Sequence, residues 1–63
     1  MDKRLSFGRI VGKMVRMVDT GEIGLCVYYS KIEKEFQVEL DSFKNKHNPA
    51  GICFCIRDDF EVI

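Results

Sequence analysis

Apolar and polar residues alternate along most of this chain, and the alternation predicts strands rather than helices. The clearest case is Glu35–Asp41, where Phe36, Val38 and Leu40 point one way and Gln37, Glu39 and Asp41 the other. Ile23–Tyr29 reads as a second strand, with Leu25, Val27 and Tyr29 on one face and Cys26 and Tyr28 on the other. Ile52–Arg57 sets Ile52, Phe54 and Ile56 against Cys53, Cys55 and Arg57, and Phe60–Ile63 closes the chain with Phe60 and Val62 on one face. The first run, Arg9–Val18, is rich in β-branched residues and is read as a strand with a bulge or bend at Gly12. A helical reading of residues 13–18 competes with it, because Ile10, Met14, Met17 and Val18 lie near helical spacing.

Turn chemistry separates these runs. Asp19-Thr20-Gly21-Glu22 and Ser30–Lys34 are short polar connections, and Ser42–Gly51, with Asn48-Pro49, is the longest irregular stretch. Residues 1–8 read as a flexible arm, with Phe7 as its anchor and Gly8 as the join. Five strands this short cannot leave one face of a flat sheet bare, so the expected fold is all-β and rolled into a small barrel. The candidate core is Ile10, Val15, Met17, Leu25, Val27, Phe36, Val38, Leu40, Ile52, Phe54, Ile56, Phe60 and Val62.

Size and composition then narrow the functions. A chain of 63 residues hides only about 60% of its unfolded surface and has little room for a deep cleft. At 46% apolar and zero net charge it is a folding sequence, not a disordered one. It has no apolar run long enough to span a membrane and no apolar stretch behind the charges of Met1–Ser6 to serve as a signal peptide. A cytoplasmic protein is expected, without a membrane partner. The neutral total conceals an asymmetry: residues 1–18 carry +4 (Lys3, Arg4, Arg9, Lys13 and Arg16 against Asp2), and residues 19–63 carry −4. Charge matching within the fold is the expected reading, as opposed charges across strands are ordinary, with a binding dipole as the alternative.

The order of pieces resembles an SH3-like barrel over residues 9–63: strand, a loop with Gly21-Glu22-Ile23-Gly24, three further strands, then Asp58-Asp59 before the last one. Val15–Val18 with Gly21 and Gly24 also resembles a shortened KOW-type element. The resemblance implies a five-stranded SH3-like small barrel with a tight turn, often helical, before the final strand. It does not extend to the proline-peptide-binding type, since the chain has no tryptophan and only two tyrosines.

Candidate chemistry is sparse. Cys53 and Cys55 are two apart, so a strand puts both thiols on one face, and with Cys26 they invite a soft-metal or redox reading. A fourth ligand is missing and Arg57 is the one nearby cation, so packed, unreactive thiols are expected, with no metal and no cofactor. His47 sits between Lys46 and Asn48 without a nucleophile or carboxylate close in sequence and reads as a solvated loop residue. Asp58-Asp59 reads as turn chemistry. With no catalytic constellation, a non-catalytic protein-binding module is expected, an adaptor or an inhibitor of a larger protein. Its scale resembles that of accessory proteins of phages and other mobile elements. The alternative is a KOW-like nucleic-acid or ribonucleoprotein module, although a pI near 6.5 lacks the usual basic bias. The partner-binding candidates are Tyr28, Lys31, Phe43, Lys44, Lys46, His47 and Arg16: an outward tyrosine with neighbouring cations suits a protein interface or a stacked base. The apolar excess and the exposed strand edges also raise a homodimer as an assembly.

Overall fold

A computed structural model describes residues 7–63. One helical turn, α1 (Phe7–Ile10), leads into five antiparallel strands: β1 (Met14–Met17), β2 (Ile23–Ser30), β3 (Glu35–Glu39), β4 (Ile52–Cys55) and β5 (Phe60–Val62). They form one sheet in the order β4-β3-β2-β1-β5, a meander whose last strand returns to the first. Two 3-10 turns, Asp41–Phe43 and Arg57–Asp59, precede β4 and β5. The all-β, five-stranded class expected from the sequence is the class observed.

The sheet is strongly rolled. Phe36 on β3 and Phe60 on β5 lie three strand positions apart, about 14 Å in a flat sheet. Their rings are 5.1 Å apart, edge to face. Closure is incomplete, since β4 and β5 do not pair with each other. Inside the roll Phe36 is the hub: Tyr29 packs at 4.6 Å and Phe7 at 5.2 Å. Ile10, Val15, Met17, Cys26, Val38, Leu40 and Cys55 fill the rest of the core.

Three expectations are corrected here. Arg9–Val18 is not one strand. Its start is helical, Gly12 breaks the turn at a φ of 93°, and only Met14–Met17 is β. The competing helical reading of residues 13–18 fails as well. Phe7 and Gly8, assigned to a flexible arm, belong to α1, with Phe7 seated on the Phe36–Tyr29 pair. The rest of that arm, residues 1–6, lies outside the described residues.

In β2 the expected inward residues Leu25 and Val27 are only half-buried, and Cys26 is in the core instead. A bulge at Val27 is the reason. Cys26 pairs with Val38 and Tyr28 with Gln37, so Val27 is an extra residue and the inward phase passes from Cys26 to Tyr29. In β4, Phe54 is exposed and Ile52 half-buried, while Cys55 is buried and Cys53 packs on the core; Ile56, just after the strand, is exposed. Here the register decides. Phe36 pairs with Cys55 and Val38 with Cys53, so β4 must follow β3's unambiguous inward face.

The β3–β4 loop fixes that register. Gly51 has a φ of 71°, and its carbonyl accepts the Leu40 N–H at 2.8 Å. The Asn48 side chain reproduces a strand partner: its amide donates to the Ile52 carbonyl at 3.0 Å and its oxygen accepts the Ile52 N–H at 3.1 Å. At the far end Asp59 Oδ2 accepts the Ile56 N–H at 3.0 Å. The free edge of β4 is thus capped at both ends, which limits strand addition there.

Candidate functional site

Rolling one face inward leaves the other outward, and pairing registers its residues in rows. One row is Tyr28–Gln37–Phe54, from β2, β3 and β4. The next is Met14–Leu25–Glu39–Ile52, from β1 to β4. Tyr28 is 53% exposed, Phe54 60% and Met14 46%. Glu35, opposite Ser30, and Glu39 border the aromatic row on β3. The outer face therefore presents two aromatic side chains and three aliphatic ones around carboxylates. Single exposed apolar residues are ordinary on a protein surface, but here they form a group in register across four strands.

The sequence-derived candidates do not assemble into one site. Tyr28 faces outward as expected and stands in the middle of this surface. Lys31 is in the β2–β3 turn, at the opposite end of the sheet from the 40–51 loop. Phe43, Lys44, Lys46 and His47 all lie in that loop and are exposed. Lys44 Nζ is 3.0 Å from Asp41 Oδ1, and that hydrogen-bonded carboxylate holds the ammonium above the usual lysine range. Arg16 is on the outer face of β1, but its guanidinium is 3.3 Å from Glu61. Two of the presumed free cations are thus already partnered. Phe54, Ile52, Leu25, Met14 and Gln37 share this outer face without being candidates from the sequence; alternation places the first three inside, so their outward position is not readable from it.

The thiols are packed. Burial pushes the Cys26 thiol up, and burial raises Cys53 too, with Asp59 and Glu22 adding to it. Cys55 is pushed up to about 12, chiefly by burial. All three are unpaired. Among the described residues no three His, Cys, Asp or Glu side chains group to hold a metal ion.

Native thiols should therefore alkylate at least about tenfold more slowly with iodoacetamide near pH 8 than in denaturant, because thiolate is the reactive form. The same shift makes stability fall in alkali. Above the ordinary value of 9.0 the unfolded chain has released the Cys55 proton while the folded chain still holds it. Unfolding then takes up hydroxide, and the urea midpoint should drop as pH rises from 9.0 toward 12. A Cys55→Ala variant, less stable at neutral pH, should show a shallower drop over that interval.

A second feature lies at one end of the rolled sheet. The β1–β2 turn, the first residues of the β3–β4 loop, β4 and the Arg57–Asp59 turn enclose a cavity of about 200 Å³. Glu22 ties two of these together, its carboxylate accepting the Ser42 N–H at 3.0 Å and the Ser42 hydroxyl at 2.6 Å. Phe54 borders both the cavity and the outer face.

Comparison of the whole chain with known protein families, curated proteins and solved structures finds no match. No helix among the described residues is long and apolar enough to cross a membrane.

Proposed function

We propose that this protein is a non-catalytic binding module of SH3-like architecture that docks a larger protein on the outer face of its sheet. The observation that carries the reading is the registered row Tyr28–Gln37–Phe54, flanked by Met14, Leu25 and Ile52. Exposed aromatic rings are the residues that anchor protein interfaces. The carboxylates of Glu35 and Glu39 define the partner's chemistry: an apolar strip with basic residues beside it. They also count against two other occupants. Phosphates would be repelled by β3, and Lys44 and Arg16 are neutralised by Asp41 and Glu61. A second copy laid face to face would bring like charges together. Adaptor and inhibitor are both forms of this activity. Three unpaired cysteines support a reducing compartment such as the cytoplasm.

The test is affinity capture from lysate, with and without nuclease, using the wild type, a Tyr28→Ser/Gln37→Arg double variant and an Ile32→Ser control at a 95% exposed turn residue. One stoichiometric protein should survive nuclease and moderate salt. The double variant should lose it by tenfold or more, and the control should retain it. Nucleic acid in the bound fraction, with proteins lost after nuclease, would replace this reading by the KOW-like one. Self-capture alone, insensitive to the double variant, would replace it by a homodimer.

A further inference from the structure

The cavity at the end of the rolled sheet has an acidic and aromatic lining. Its walls include three carboxylates, Asp19, Glu22 and Asp59, and no lysine, arginine or histidine. Between them stand Phe43, Phe54 and Cys53, with further apolar side chains behind. No ion pair among the described residues neutralises these acids. Glu22 is fixed in place by Ser42, which is neutral and leaves the carboxylate its charge. Asp59 is likewise held by the Ile56 amide. The negative field reaches into the cavity, since Asp59 and Glu22 both raise the Cys53 thiol beyond the effect of burial.

Resting on the docking role proposed above, we infer that this cavity receives a guanidinium-bearing side chain, an arginine of the docked partner. The volume of about 200 Å³ suits a single side chain and is smaller than the roughly 300 to 1,000 Å³ of small-molecule sites. The acids do not group closely enough to hold a metal ion, yet all three line the cavity. Guanidinium is weakly hydrated, stacks on aromatic rings and bonds carboxylates through a fork of donors, which suits a site part aromatic and part acidic. An ammonium would lose more hydration on entering the same walls. Because Phe54 belongs to both the cavity and the outer face, a chain lying across Tyr28–Gln37–Phe54 reaches the opening without leaving the surface.

Titration of the ¹⁵N-labelled full chain with butylguanidinium, followed by amide shifts, tests this directly, with butylurea as the neutral isostere. Saturable shifts are expected at Asp19, Thr20, Glu22, Phe43 and Cys53, with a dissociation constant on the order of millimolar for so small a probe. Asp19→Asn should weaken binding about three- to tenfold, and Ile32→Ser, in the exposed β2–β3 turn, should leave it unchanged. Asp19→Asn should also weaken retention of the captured partner. Equal shifts with butylurea, shifts centred on Glu35 and Glu39, or no saturation would overturn the inference. So would partner retention indifferent to Asp19→Asn. If the probe fails while Tyr28→Ser/Gln37→Arg still abolishes capture, the cavity assignment falls and the docking face stands. If the probe binds but capture ignores the double variant, the docking face falls, and the partner assignment with it.

Discussion

Replacing Gly24 with alanine is expected to remove a large share of the stability of this fold. Gly24 is on the inner face of β2, paired with Val15. A Cβ built there collides with the Glu39 carbonyl oxygen, sits 2.6 Å from Leu40 Cδ2 and 2.9 Å from Val38 Cγ1. The carbonyl belongs to the β2–β3 ladder and cannot rotate away, so β2 and β3 must separate locally. Overpacking of this kind costs about 1–3 kcal/mol, and more when backbone is the obstacle. A core this small supplies only about 3–5 kcal/mol in total. With a urea slope of about 1 kcal/mol/M, the midpoint should fall by about 2 M or more. Gly8→Ala, whose Cβ meets nothing within 4 Å, should shift it little. A Gly24→Ala protein as stable as the wild type would mean that β2 and β3 do not approach this closely.

The second large effect separates two phenylalanines that the alternation pattern treats alike. Phe36→Ala removes the ring on which Phe7, Tyr29 and Phe60 all pack. Phe36 is fully buried, and truncations of this kind cost about 3–5 kcal/mol, the whole stability of such a domain. Phe54→Ala removes a ring that is mostly in water and should change stability by only about 0.5 kcal/mol. Denaturant titration of the two variants beside the wild type checks both values. Equal destabilisation would place Phe54 in the core and remove the docking face.

That pair also marks how far the residues can be read without coordinates. β3 was legible because its two faces differ: Phe36, Val38 and Leu40 against Gln37, Glu39 and Asp41. The turns at 19–22 and 31–34 were legible from their polar and glycine residues, and Asp58-Asp59 is the turn it was read as. β4 was not legible, because both of its faces are apolar. Ile52, Phe54 and Ile56 are the larger side chains, yet the cysteines fit beneath Phe36 and Val38 and the larger residues do not need to. The information that decides β4 sits outside it, in Gly51 and the Asn48 side chain that set its register. β2 failed for a different reason. A bulge leaves no sequence signature at Val27, so an alternation that is right at Tyr28 and Tyr29 is out of phase at Leu25 and Cys26 before it. Candidate binding residues inherited these errors. Tyr28 was found because it lies beyond the bulge with Tyr29 correctly inside, whereas Phe54 was hidden by its expected place in the core. The lysines were visible as charges, but Asp41 beside Lys44 becomes a partner only once the 3-10 turn forms.

The central claim is that the outer face around Tyr28 is where a protein partner sits. Photo-crosslinking tests it most directly, with p-benzoylphenylalanine replacing Tyr28 in one protein and Ile32 in another. A single protein adduct from position 28, resistant to nuclease and absent from position 32, is the predicted result. Adducts from position 32 alone, or to nucleic acid from position 28, would contradict it.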